Sequence, residues 1–189
     1  AIVISDIVDI AHGDGKPDYK GYWLLSSAGE VYAYGNATYH GNATTSSPAI
    51  AIAANNSSGY WIVDDTGHVY AFGSAAYYGN ATSSNPIVDI EPTSTGLGYW
   101  VLSSTGEVYS FGDANYHGGH TGTLNGPMVG MTANWDDGGY WLVGDDGGVF
   151  SYGNCGFWGS LPQQYDFSTT GNYSDYTDII KDLLLWSGW

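Results

Sequence analysis

The chain has 189 residues, which is enough to bury a hydrophobic core within one domain. Three lysines and no arginine stand against 19 acidic residues, a formal net charge of −16, and because binding to phosphate backbones depends on lysine and arginine, nucleic acids and anionic membranes are not expected as partners. No apolar run reaches the roughly 18 residues that a membrane span needs, and a single cysteine cannot form an internal disulfide, so packing must hold the fold.

Residues 1–6 precede the repeated part of the chain. They begin AIVIS, an apolar sequence that predicts a surplus β-strand. Ile2, Val3 and Ile4 are its candidate assembly residues. An alanine at position 1 is what cleavage of a signal peptide would leave, which predicts an extracellular or cell-surface location.

Four copies of one pattern follow over residues 7–162. The first copy of its frame, GYWLLSSAGEVYAYGNATYHG, runs from Gly21 to Gly41. Each copy begins with Gly-Tyr-Trp; these tryptophans are spaced by 38, 39 and 41 residues, and a glycine follows each at 6, 12 and 18 residues. The four tryptophans are Trp23, Trp61, Trp100 and Trp141. A period near 40 residues indicates stacked or radially arranged units rather than one irregular core.

Each copy predicts four short strands, which are clearest in the third repeat. PIVDI, GYWVLSS, GEVYSFG and ANYHG are rich in β-branched and aromatic residues and are bounded by turn residues. A glycine between the second and third strands supplies the positive φ of a tight hairpin. In VYAYG both faces are apolar or aromatic, so neighbours must cover both. The sequence predicts an all-β fold, a small β-propeller of four four-stranded blades of about 40 residues, with an open solenoid as the competing architecture.

The repeat resembles a short repeat of secreted and cell-surface bacterial proteins, common in actinobacteria, with the pattern GYW-x-V-x-x-D-G-G-V-F-x-F-G-D-A-x-F-x-G. Gly139 to Gly159 match it best, and the resemblance covers about residues 7–162. It implies propeller blades, a location at the cell surface, and no catalytic role for the repeat itself. This chain departs from the pattern with Ser-Ser at two hairpins and GNAT in place of Gly-Asp-Ala, so no shared ligand is carried over.

Residues 163–189 predict a linker and one C-terminal amphipathic α-helix. In SDYTDIIKDLLLW apolar side chains recur at helical spacing, with Ser174 suited to the N-cap and Gly188 to the stop. A helix of about 13 residues is marginal alone, so its apolar stripe must pack on something. Both chain ends dock either on their own subunit or on a neighbouring one. The candidate assembly residues of the helix are Ile179, Ile180, Leu183, Leu184 and Trp186.

The sequence singles out no nucleophile with a base and an orienting group. We therefore expect no enzyme, no cofactor and no metal site. The acid pair Asp64-Asp65 lies beside a loop, where turn formation explains it better than glycoside hydrolysis. The HGGH sequence, His117 to His120, resembles a pair of metal ligands, but a tyrosine and a tryptophan stand at the position of His117 in two other repeats, which favours packing.

Asn-x-Ser/Thr sequons predict N-glycosylation. They occur at Asn36, Asn42, Asn55, Asn56, Asn80 and Asn172. Asn42 and Asn80 share one repeat position, just after the last glycine, and are the strongest candidates because that loop is expected to be exposed.

The combined pattern predicts a secreted, N-glycosylated repeat protein without catalytic activity. It would act by association with itself, as a structural subunit or adhesion module of a cell-surface layer or filament. The alternative is a carbohydrate-binding, lectin-like propeller that serves a cell-wall system and has glycans as partners. The 17 tyrosines and eight tryptophans are typical of such recognition surfaces.

Overall fold

The computed structural model describes residues 6–12 and 20–161. Every regular element in this part of the chain is a strand, so it contains no helix long and apolar enough to cross a membrane. The strands are β1 (Ile7–His12), β2 (Gly21–Ser26), β3 (Val31–Gly35), β4 (Ala49–Ala54), β5 (Gly59–Asp64), β6 (Val69–Gly73), β7 (Ile87–Pro92), β8 (Gly98–Ser103), β9 (Val108–Gly112), β10 (Met128–Ala133), β11 (Gly139–Gly144) and β12 (Val149–Gly153). Residues 1–5 of the predicted N-terminal strand and the predicted C-terminal helix lie outside the described residues.

The twelve strands form four antiparallel sheets of three strands, one sheet for each repeat. The strand that begins Gly-Tyr-Trp lies in the middle of each sheet, as in the order β1-β2-β3. This arrangement confirms the all-β class. The repeated sheets fit a propeller-like repeat protein.

The predicted hairpin glycines adopt the predicted conformation. Gly29 has a φ of 81°, and its N–H donates to the Ser26 carbonyl at 2.9 Å. The Ser26 N–H in turn donates to the Glu30 carbonyl at 2.9 Å, which closes the turn between β2 and β3. The corresponding glycines of the other repeats have φ values of 93°, 86° and 78°. A side chain with a Cβ atom would be strained at this position.

The fourth predicted strand of each repeat is not a strand, so the sheets have three strands rather than four. In the first repeat the Trp23 indole Nε1–H donates to the Thr38 carbonyl at 2.9 Å. The Tyr60 hydroxyl of the next repeat donates to the Gly41 carbonyl at 2.7 Å. Because side-chain donors satisfy these backbone carbonyls, the segment needs no ladder of strand hydrogen bonds.

Neighbouring sheets pack mainly through their first strands, β1 on β4, β4 on β7 and β7 on β10. Trp23, Trp61 and Trp100 are fully buried at these contacts, whereas Trp141 of the last repeat is half-buried. Among the twelve described strands, none of the first sheet contacts one of the fourth sheet. The closed ring of a four-bladed propeller is therefore not seen in residues 6–12 and 20–161.

Candidate functional site

Consecutive repeats meet in a recurring contact that we call a joint. In the joint between the second and third repeats, the Tyr99 hydroxyl donates to the Gly79 carbonyl at 2.8 Å and accepts from the N–H groups of Tyr78 and Gly79 at 3.2 and 3.0 Å. The Tyr99 ring lies 5.2 Å from that of Trp61, centroid to centroid. One buried tyrosine thus satisfies backbone groups of the preceding repeat and packs on its tryptophan.

The other two joints repeat this arrangement. The tyrosine hydroxyl donates to the glycine carbonyl at 2.7 Å for Tyr60 and Gly41 and at 2.5 Å for Tyr140 and Gly118. The centroids of these tyrosine rings lie 5.0 and 5.8 Å from those of the preceding tryptophans. The Gly-Tyr-Trp frames therefore link consecutive repeats at all three joints.

Carboxylates cross two of the three joints. Asp9 and Asp89 occupy the same position in the first strands of the first and third repeats. The Asp9 Oδ2 atom accepts from the Ile52 N–H at 2.7 Å, and the Asp89 Oδ2 atom accepts from the Met131 N–H at 2.7 Å. Desolvation by burial raises the pKa of Asp89 to about 6, against the opposing effect of its backbone hydrogen bonds.

Glu91 adds a second carboxylate to the joint between the third and fourth repeats. Its Oε1 atom accepts from the Ala133 N–H at 3.0 Å. Although the residue as a whole is half-buried, protein atoms surround its carboxylate, and this desolvation raises its pKa to about 8. These hydrogen bonds to strand backbone join neighbouring sheets.

The first repeat exposes side chains whose counterparts are buried or half-buried at every joint. Ile7 and Ile10 of β1 are 47% and 36% exposed, and Tyr22 and Tyr34 are 42% and 47% exposed. The tyrosines that correspond to Tyr22 have no exposed surface in the other three repeats. We call Ile7, Ile10, Tyr22 and Tyr34 the head face.

The fourth repeat exposes the opposite half of a joint. Trp158 is 90% exposed, and Trp141 is half-buried where the three preceding tryptophans are fully buried. In the described part of the chain, no atom lies within 4 Å of a Cβ atom added to Gly159. We call Trp141, Trp158 and Gly159 the tail face. Sequence reasoning missed both faces, although their place in the first and last of the four repeats could have revealed them.

Asn42 and Asn80 lie on the exposed surface, as the glycosylation prediction requires. Each uses its side-chain oxygen to accept a backbone N–H at 2.9 Å, from Val31 and Val69 respectively. An N-glycan attaches to the side-chain nitrogen, which these bonds do not use. Both asparagines are therefore compatible with a glycan and with a structural role at once.

The remaining sequons differ in their surroundings. Asn36 is exposed. Asn55 is buried and its Nδ2 atom donates to the Ser74 hydroxyl at 2.9 Å, so a glycan there would require this bond to break. Asn56 is exposed, but its Nδ2 atom donates to the Thr93 carbonyl at 3.2 Å. Asn172 lies outside the described residues.

The predicted assembly residues of both chain ends also lie outside the described residues. They are Ile2, Val3, Ile4, Ile179, Ile180, Leu183, Leu184 and Trp186. Their role in assembly stays a prediction.

The histidines of HGGH pack on neighbouring side chains. His117 lies 5.5 Å from Tyr140 and His120 lies 4.6 Å from Phe150, centroid to centroid. Asp64 accepts the N–H groups of Thr66 and His68 at 3.0 Å each, which is the predicted role of a turn-forming acid. Within residues 6–12 and 20–161 no group of three or more His, Cys, Asp or Glu side chains could hold a metal ion.

A row of exposed aromatic side chains follows one repeat position through all four repeats. Their exposed fractions lie between 53% and 63%. The row consists of Tyr39, Tyr77, Tyr116 and Phe157. Unlike Trp158, these side chains are exposed in every repeat, so the joints do not bury this position.

No family model and no curated protein matches the sequence. Solved structures with a similar fold include a structural genomics protein of unknown function from Bacteroides thetaiotaomicron, with a TM-score of 0.53 and 12% identity over 78% of this chain and 41% of its own. Another is Raptor from Chaetomium thermophilum, with a TM-score of 0.59 and 8% identity over 84% of this chain and 16% of its own. The chain thus spans less than half the length of either protein. At these identities the likeness shows the fold alone.

Proposed function

We propose that this chain is a non-catalytic, extracellular repeat protein that acts by association, as a structural subunit or adhesion module of a cell-surface layer or filament. Its four sheets serve as propeller blades. The observation that carries the proposal is the exposure of the head and tail faces. Equivalent positions are buried or half-buried at the three joints, which supports a protein neighbour as the partner of each face.

Burial of these faces would favour association. Removing apolar surface from water stabilises a contact by about 25 cal/mol per Å² before the cost of ordering is subtracted. Trp158 contributes most, because 90% of its surface is exposed. Exposed apolar patches of this kind are typical of interaction sites.

An extracellular location and N-glycosylation belong to the same proposal. Asn42 and Asn80 support it because both side chains are exposed and their amide nitrogens are not used in the hydrogen bonds to β3 and β6. A hydrophilic glycan at this repeat position would also restrict which surfaces of the sheets remain open to a neighbour.

The test is the assembly state of protein isolated from its native source. Negative-stain images should show layers or filaments, and mass measurements in solution should show species larger than one chain. Because each chain carries a net charge of −16, its copies repel one another, and association should tighten as salt concentration rises. A protein that remains a single chain at high protein and salt concentrations would contradict assembly.

The exposed aromatic row favours carbohydrate binding as a second candidate function. Aromatic rings on an open surface can stack on sugar rings, and Tyr39, Tyr77 and Tyr116 recur at a repeat spacing. Glycan-array binding by the wild-type protein should be lost when these three residues are changed to alanine. Tyr34→Ala is the matched control, since Tyr34 is similarly exposed but lies outside the row. Binding that survives the triple substitution would exclude the row as the sugar site.

A further inference from the structure

The two open faces have the composition of the two sides of one joint. We propose that the tail face of one copy docks on the head face of a second copy and forms a fourth joint of the kind that links the repeats. This inference rests on the proposed function and names the partner and the contact.

The formed joints show what each face lacks. In the joint between the third and fourth repeats, the Tyr140 ring lies 5.5 Å from His117, centroid to centroid, and its hydroxyl donates to the Gly118 carbonyl. Trp158 and Gly159 occupy the positions of His117 and Gly118 in the last repeat. The head face supplies the missing tyrosine, Tyr22.

The glycines of the formed joints show where the second head tyrosine would lie. A Cβ atom added to Gly118 would lie 2.8 Å from the Tyr152 ring of the next repeat. Gly159 has the same φ of 126°, yet an added Cβ would meet no atom of the described residues within 4 Å. Tyr34 is the head-face counterpart of Tyr152. The space above Gly159, where a formed joint holds this ring, is therefore open in the described residues.

Both faces already hold the geometry of a formed joint. Tyr22 and Tyr34 stack with their ring centroids 5.2 Å apart, close to the 5.4 Å between Tyr99 and Phe111 in a formed joint. On the other face the Trp141 Nε1–H donates to the Gly156 carbonyl at 2.8 Å, as each preceding tryptophan does within its own repeat. Docking would therefore require little rearrangement of either face.

The third residue of the first strand alternates between an aspartate and a small residue along the four repeats. This alternation favours a joint in which the fourth repeat of one copy precedes the first repeat of another. The third residues are Asp9, Ala51, Asp89 and Gly130. Where the preceding repeat carries an aspartate, its Oδ2 atom accepts an N–H across the joint.

The joint between the second and third repeats uses a different arrangement. Ala51 offers no carboxylate, and the Ile90 N–H instead donates to Asp89 of its own repeat at 2.8 Å. A joint from the fourth repeat to a second copy would match this one. Gly130 offers no carboxylate, and the Ile10 N–H already donates to its own Asp9 at 2.8 Å. The first repeat of a second copy, which carries Asp9, thus matches the pattern expected after the fourth repeat.

A second copy of this chain has the segments needed to cover both the head face and the tail face. The missing neighbour must present a Gly-Tyr-Trp frame to one face and a Trp-Gly segment to the other, and residues 163–189 contain no further Gly-Tyr-Trp. Within the described strands the first and fourth sheets of one chain do not contact each other. A contact between two unlike faces either closes a ring of two or more copies or extends a filament.

The experiment uses two variants of the full chain, each with one face blocked. Trp158→Asp blocks the tail face and Tyr22→Asp blocks the head face. Each variant alone should be a single chain by analytical ultracentrifugation. An equimolar mixture should form dimers and nothing larger, because only one pair of intact faces remains. Wild-type protein should form closed dimers or longer assemblies.

Two controls keep the result specific. Phe157→Asp changes a neighbouring exposed aromatic residue that lies outside the joint, and it should assemble as the wild type does. Tyr34→Asp is a second head variant for use if Tyr22→Asp misfolds by circular dichroism, and it should behave in the same way.

The outcomes separate this inference from the proposed function. If the wild type assembles and Trp158→Asp alone does so too, or if the mixed variants stay monomeric, the head-to-tail joint is wrong while association stands. If the wild type never associates, both the joint and assembly are wrong, and another segment or partner must cover the two faces.

Discussion

Tyr99→Phe removes one oxygen atom from a formed joint and leaves its ring packing in place. The lost hydroxyl makes three contacts with the second repeat, one to the Gly79 carbonyl and two from the N–H groups of Tyr78 and Gly79. Tyr99 itself has no exposed surface. The substitution therefore isolates the hydrogen bonds of the joint from the apolar contact with Trp61.

The expected loss follows from the groups left behind. A buried polar group without a partner costs about 1–3 kcal/mol. Tyr78 and Gly79 are half-buried, so water can replace part of the lost bonding. We expect the free energy of unfolding to fall by about 1–2 kcal/mol, which corresponds to roughly 2–8 °C in Tm for a chain of this size.

The measurement is urea unfolding followed by circular dichroism, with Tyr22→Phe as the matched control. Tyr22 holds the same repeat position, but no other repeat of the described residues contacts it and it is 42% exposed. At low protein concentration its substitution should change the free energy of unfolding by less than about 0.5 kcal/mol.

Equal effects of the two substitutions at low concentration would refute the reasoning. They would mean that the hydroxyl acts through its own repeat and not across the joint. A loss for Tyr22→Phe that appears only as protein concentration rises would instead be expected from a joint between copies.

Three further predictions concern charge, backbone and glycan. Burial raises the pKa of Glu91 to about 8 in the folded protein, above its ordinary value of 4.5, so the contribution of Glu91 to stability is greatest below pH 4.5 and is lost as pH rises towards 8. The free energy of unfolding, measured by urea unfolding at several pH values, should therefore fall with pH. Glu91→Gln should reduce this slope by up to roughly 1.4 kcal/mol per pH unit, and an unchanged slope would mean that other groups cause it. Gly118→Ala should destabilise the single chain more than Gly159→Ala, because both share a φ of 126° but only the first Cβ would press on a neighbouring ring; equal unfolding midpoints would contradict this. Glycopeptide mass spectrometry of native protein should find glycans at Asn42 and Asn80, and two unmodified asparagines would remove the case for glycosylation.

Much of the fold could be predicted because the same strand and hairpin pattern occurs in four copies. Alternating aromatic and β-branched residues predict strands, and Gly29 and its counterparts predict the hairpins through their positive φ. Composition predicted a fourth strand in each repeat, which the structure does not have. Whether that segment pairs as a strand depends on what satisfies its backbone, and the donors are Trp23 and Tyr60, which are distant in the chain.

The candidate site shows the same division between sequence and tertiary structure. Tyr22 and Tyr60 occupy the same position in the same Gly-Tyr-Trp frame, so the sequence by itself determines that each can take part in a joint. Only the tertiary structure decides that Tyr60 is buried and Tyr22 is 42% exposed. The physical reason is that burial requires two surfaces in contact, and among the described residues no repeat packs against the first one from the other side.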